Sequence, residues 1–99
     1  MQHNYFVYIL TNANKTVLYT GVTNDLQRRI SEHQNALNLK SFTSKYKCFY
    51  LIYFERFGNI EHAIVQEKRI KGWSRNKKEI LISDFNPNWN FLNEEINDI

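Results

Sequence analysis

Glu67 stands where an apolar side chain is expected. It lies seven residues after Ile60, four after Ala63 and three before Ile70, inside the stripe those residues form at helical spacing. A carboxylate on that face loses part of its hydration, a cost that a cation or hydrogen-bond donors must offset. Two partners answer the need: a neighbouring Lys or Arg, or a hard divalent ion such as Mg²⁺. Arg29 and His33 pose a similar problem, three and seven residues after Leu26, both leaning toward that segment's apolar side. Arg28 points nearly the opposite way. A guanidinium matches phosphate oxygens bidentately, although a salt bridge is the plainer use. His33 suits a hydrogen-bonded core imidazole or a proton carrier. Tyr8 and Tyr19, in two strand-like segments, add a pair of phenols. Each residue has an ordinary structural explanation when taken singly. Together they supply a metal anchor, a clamp for developing charge, and a proton acceptor or nucleophile, the parts of a phosphodiester-cleaving site.

The elements that would position them follow from patterning. YFVYIL (5–10) is β-branched and aromatic and reads as a strand; TVLYT (16–20), before Gly21, is its return partner. Pairing Leu10 with Val17 sets Tyr8 opposite Tyr19 on one face. Thr23 and Asn24 are N-cap candidates for a helix over about 24–37, with Asp25 favourable at its positive end. Residues 38–48 show no period and read as a loop. FYLIYF (49–54) reads as a central strand buried on both faces. Asn59 caps a second helix carrying Ile60, Ala63, Ile64 and Ile70 and ending near Gly72. Asn76–Ser83 reads as a short third helix with Ile80 and Leu81 inward. The expectation is an α+β domain of the broad α/β class. Its small antiparallel or mixed three-stranded sheet is flanked by helices in the order β-β-α-β-α-α. Residues 1–85 form the domain, and 86–99 an acidic tail, packed on it or trailing, with Trp89, Phe91 and Leu92 as anchors.

Composition narrows the function classes. Ninety-nine residues make one small domain. A single cysteine, Cys48, excludes an intrachain disulfide and a four-cysteine metal site, so a reducing cytoplasm is the simplest home. No stretch approaches the ~18 apolar residues of a membrane span, and no signal-peptide pattern opens the chain. The net charge of +3 hides a division: residues 24–78 hold twelve Lys/Arg against five Asp/Glu. Basic residues are densest at Lys68, Arg69, Lys71, Arg75, Lys77 and Lys78. Such a cluster suits a polyanion, because each neutralised phosphate releases counterions; a solvated helix face is the bland alternative.

The run Tyr19-x-Gly21-x-Thr23-x-Asp25-Leu26-x-x-Arg29, with His33 one turn later, is specific. With FVYIL, LIYFE and QEKRIKGWSRNKKEILI, it resembles the GIY-YIG nuclease superfamily over about residues 4–83. The likeness is to its small stand-alone branch, similar to the N-terminal domain of the family's excinuclease and to homing-endonuclease catalytic domains. Phe6-Val7-Tyr8 lacks the first tripeptide's Gly, Tyr19-Thr20-Gly21 lacks the second's Ile, and Val22 stands where some members carry a Lys. The resemblance implies that Tyr8, Tyr19, Arg29 and His33 are catalytic, that Gly21 is the structural glycine, and that Glu67 holds one Mg²⁺ or Mn²⁺. It further implies a metal-dependent endonuclease acting on DNA, branched or damaged DNA among the candidates. Tyr8 would serve as general base or nucleophile, with Tyr19 and His33 assisting. Nearby cations must then lower the phenol's pKa. Lys68, Lys71, Arg75, Lys77 and Lys78 would follow the DNA backbone without reading sequence. Intrinsic sequence specificity is expected to be low, so a protein partner would supply target choice. The alternative is a non-catalytic nucleic-acid-binding module of the same fold, acting in DNA repair or RNA-associated complexes.

Overall fold

A computed structural model describes residues 3–35 and 42–97. Three strands, β1 (Tyr5–Thr11), β2 (Leu18–Thr23) and β3 (Tyr50–Phe57), form one antiparallel sheet in the order β2-β1-β3. Around it lie α1 (Leu26–Gln34), α2 (Phe42–Tyr46), α3 (Ile60–Lys71) and α4 (Arg75–Phe85). The expected α+β architecture is present, with one addition. The five-residue helix α2 sits in the stretch read as loop, where too few residues repeat for a period to show. The expected helix over 24–37 is α1, capped by Asp25 rather than Thr23 or Asn24; residues 36 and 37 lie outside the described residues. Asn59 caps α3 as expected, its side chain accepting from the Glu61 and His62 amides.

The central strand is β1, not the segment at 49–54. β3 borders β1 alone, yet its Leu51, Ile52 and Tyr53 are buried because other segments cover both faces. On one face Phe6, Tyr8 and Leu10 pack with Leu26 and Ile30 of α1 and with Leu92 and Ile96 of the tail. On the other, Val7 and Ile9 pack with Ala63 and Ile70 of α3 and Ile82 of α4. The inward residue of α4 is thus Ile82. Ile80 is exposed and Leu81 half-buried, because α4 touches the sheet along a narrow line centred on Ile82. Ile60 and Ile64 also lie further out than their stripe suggests, at the open start of α3.

The tail closes the outer edge of β3. The Leu92 amide donates to the Leu51 carbonyl at 2.7 Å, and Asn93 accepts from the Leu51 amide and donates to the Phe49 carbonyl. Pairing those groups satisfies backbone that an edge strand leaves bare. Gln27 of α1 fastens the far end by donating to the Ile96 carbonyl. Of the expected anchors Leu92 is buried, Trp89 half-buried and Phe91 exposed; Ile96 is a further anchor. Cys48 is buried and its thiol is pushed up to about 11 by that burial, which makes it an inert packing residue. Among the described residues no helix is long and apolar enough to cross a membrane.

Candidate active site

The β1–β2 register differs from the expected one by two residues. Leu10 faces Tyr19, and Tyr8 faces Gly21. The Asn12 side chain sets this pairing by accepting from the Thr16 and Val17 amides, and Lys15 turns the loop at φ 59°. A shift of two leaves every side chain on its own face. Tyr8 and Tyr19 therefore remain neighbours, diagonal rather than opposed, with ring centroids 6.4 Å apart.

The register gives Gly21 its physical role. Tyr8's ring crosses directly over it: a Cβ at position 21 would lie 2.5 Å from both Cζ and the hydroxyl oxygen of Tyr8. No glycine among the described residues has a positive φ, so close approach, not turn geometry, requires Gly21. Gly21→Ala must displace a ring that is only 1% exposed. The expected outcome is a loss of about 1–3 kcal/mol of stability from overpacking, with a larger proportional loss of any Tyr8-dependent activity. Thermal melts and activity assays on the same preparation measure both.

Tyr8's hydroxyl lies 3.3 Å from His33 Nε2, and His33 Nδ1 lies 2.8 Å from Thr43 Oγ1. Burial, reinforced by the Arg29 charge, lowers His33 to about 4, against a smaller opposing pull from Glu32. The imidazole is neutral at pH 7. With Nδ1 protonated the ring donates to Thr43 and turns the Nε2 lone pair toward the phenol; with Nε2 protonated both directions reverse. Burial pushes Tyr8 up to about 12; Arg29 pulls it down, while the Tyr19 phenol and the Glu67 charge push it up. The expectation that nearby cations lower this phenol is reversed. Desolvation wins in the described arrangement.

Arg29 comes off α1 beside Tyr8, and its guanidinium is 3.3 Å from Glu32 Oε1. Glu67 comes off α3, close enough for its charge to act on Tyr8, with its side chain 14% exposed and Oε2 3.4 Å from Lys71 Nζ. Tyr19, Arg29 and His33, spread along the sequence, thus meet Tyr8 directly, and the Glu67 charge reaches it from α3. Arg28 is not turned away as expected. With Arg29, Asn24 and Val22 it lines an open cleft of about 510 Å³, walled on the far side by Ile60 and Ile64. Two adjacent arginines reach one cleft because Arg28 is exposed at the start of α1, where a long side chain can bend toward either flank.

The basic cluster divides. Arg75 is committed internally: it donates to Glu79 at 2.7 Å and to the Thr16 and Lys15 carbonyls, tying α4 to the hairpin loop. Lys71 pairs with Glu67 and so borders the site rather than lying outside it. Lys77 covers the Trp73 ring at 4.7 Å. Among the described residues Lys68, Lys77 and Lys78 have no acidic partner. Thr43 and Glu32 are residues near the site that sequence reasoning missed, and Lys71, expected along the DNA backbone, pairs with Glu67 instead. For Lys71 a signal existed in its spacing of four from Glu67; for Thr43, in an aperiodic segment, none did.

A family model described as the GIY-YIG catalytic domain matches residues 4–79. The chain belongs to the GIY-YIG family. GIY-YIG nucleases act on DNA and generally use divalent metal ions. Relatives include a UPF0213 protein of Bacillus pumilus, 37% identical over 83 residues, covering 84% of this chain and 83% of the relative. Another, from Clostridium perfringens, is 42% identical over 78 residues and covers 79% of this chain and 82% of the relative. The solution NMR structure of a UPF0213 protein from Bacillus halodurans superposes with a TM-score of 0.57 at 34% identity, covering 87% of this GIY-YIG chain and 89% of that one.

Proposed function

We propose that this GIY-YIG chain is a metal-dependent endonuclease that hydrolyses phosphodiester bonds in DNA with low sequence specificity. The observation that carries the reading is the Tyr8–His33–Thr43 relay set beside Arg29 and Glu67. The ordinary explanation of each residue alone does not require all of them to converge on Tyr8.

Among the described residues no three His, Cys, Asp or Glu side chains gather as a metal cage. A single carboxylate fits a hard ion such as Mg²⁺ or Mn²⁺ that keeps most of its water, so Glu67 is the residue that would hold it. When bound, such an ion supplies positive charge to the phosphate and leaving oxygen. The chain's own groups do the rest. Arg29 leaves Glu32 to grip the non-bridging oxygens as their charge grows. Neutral His33 holds the Tyr8 hydroxyl in place at Nε2, with Thr43 on its other nitrogen, while the Arg29 charge, and that of a bound ion, would lower the phenol toward proton loss. The activated Tyr8 oxygen then serves as general base on water or as nucleophile. Tyr19 packs beside both rings and excludes water from them.

Nicking of supercoiled plasmid with Mg²⁺ or Mn²⁺, but not with EDTA, is the expected result. A preparation that binds DNA yet never nicks it supports the second reading, a non-catalytic nucleic-acid-binding module. Two observations favour that module: Glu67 is already paired to Lys71, and Tyr8 sits near 12. DNA contacts are testable without turnover. Replacing Lys68, Lys77 and Lys78 together with Ala should flatten the log–log salt dependence of duplex binding by about 2–3 units, at ~0.9 per phosphate contact. Arg75→Ala should leave that slope in place and lower the melting temperature instead, because it frees the hairpin loop. A reversal of the two results would assign phosphate contact to Arg75.

A further inference from the structure

Four aromatic rings run outward from the site in a connected series. Tyr8 contacts Tyr19 at 6.4 Å. Tyr19 stacks on Phe42 with centroids 5.8 Å apart and planes 29° from parallel, and Phe42 meets Tyr46 at 4.6 Å. The inner ring is buried, but Phe42 and Tyr46 are 45% and 41% exposed. Apolar rings so open to water on a helix of five residues contribute little to the core; both core clusters lack them. The sequence around them is basic. Between Glu32 and Glu55 the sequence has three lysines and no Asp or Glu, and Lys45 holds its ammonium 5.4 Å from the Tyr46 ring.

We propose that the Tyr19–Phe42–Tyr46 ladder is a stacking platform for an unpaired nucleobase beside the phosphate to be cut. The protein therefore prefers single-stranded or locally unpaired DNA to closed duplex. The proposal rests on the nuclease reading for the position of that phosphate. Bases offer π-faces to such rings whatever their identity, and lysines at the rim take the flanking phosphates, which is how strands are held without sequence readout. In a closed duplex both faces of each base are occupied by its neighbours, so the ladder has nothing to stack on. Tyr19 connects the outer rings to Tyr8, so a base stacked on them lies on the Tyr8 side of the molecule, and the absence of acids from the segment matches a polyanion. The occupant is thus a nucleotide, not an apolar protein segment.

Binding is measured in EDTA, so that no cleavage intervenes. The probes are a single-stranded oligonucleotide carrying a fluorescent adenine analogue and the duplex of the same sequence. Wild-type protein should quench the analogue in the single strand, the signature of ring stacking. Phe42→Ala with Tyr46→Ala should weaken single-strand binding about 5- to 150-fold, the range for one lost base–aromatic stack, abolish the quenching, and leave duplex affinity unchanged. Phe42→Leu with Tyr46→Leu keeps apolar bulk in place should the alanine variant fail to fold, and the same losses are expected from it. Equal losses on single strand and duplex, unchanged single-strand binding, or wild-type binding without quenching each overturn the platform. Failure to nick plasmid while the quenching survives removes the nuclease reading and leaves the platform standing.

Discussion

Arg29→Ala should lower the rate of cleavage at saturating DNA by about 10²–10³-fold, or ~2.7–4 kcal/mol, the loss expected on removing one donor aimed at developing negative charge. Its side chain is 42% exposed and its ion pair with Glu32 lies at the surface, so the melting temperature should barely move. Arg28→Ala is the internal control. Arg28 shares the cleft with Arg29 but carries no link to Tyr8, so it should raise the DNA concentration needed for half-saturation and spare the turnover number. A fall in turnover of the same size from both substitutions would put both guanidinium groups on the scissile phosphate. No fall from Arg29→Ala would leave it as the partner of Glu32 and nothing more.

Glu67→Gln should remove cleavage to background and leave the fold intact. The amide keeps the shape of the side chain and gives up its charge. Lys71, half exposed, can return to water. The substitution has an informative side effect on Tyr8. The Glu67 carboxylate pushes that phenol up, so removing the charge lets the phenol fall, the direction that makes proton loss easier. A loss of cleavage then runs against the direction in which the Tyr8 phenol moves and points to the missing metal ligand. Direct readouts are the electron paramagnetic resonance of Mn²⁺, which should report binding to wild type and none to the variant, and plasmid nicking. Cleavage that survives together with a sharp drop in melting temperature would make Glu67 a structural partner of Lys71.

The candidate site residues stand out in the sequence more plainly than the pairing of the strands that carry them. Glu67 declares itself by charge on an apolar stripe, and Arg29 and His33 by helical spacing from Leu26; local periodicity alone conveys such contradictions. The strand register does not declare itself. Leu10–Val17 and Leu10–Tyr19 pairings put identical residues on identical faces, and what separates them is the Asn12 side chain satisfying two loop amides. Centrality is hidden for a related reason. FYLIYF is apolar on both faces because helices and tail cover it, a burial that long-range packing produces at an edge as readily as in the middle. Thr43 and the exposed rings of α2 belong to a helix too short for a period, and Arg28's reach depends on side-chain flexibility that spacing does not encode.

The docking of the tail also governs how the molecule is completed during its synthesis. Its bonds to β3 and α1 join residues 42, 44 and 69 positions apart, whereas the hairpin and the capped helices close over short distances. Ribosomes deliver about 5–20 residues per second from the N-terminus, so β1, β2 and β3 emerge well before Leu92 and Asn93 do. Until then the outer backbone of Leu51 has no covering segment, and the places of Leu92 and Ile96 against Tyr8's face of the core stand open. A bare strand edge beside open apolar surface is what draws a second nascent chain into pairing. Docking of Leu92 and Asn93 closes that edge and commits each copy to its own sheet.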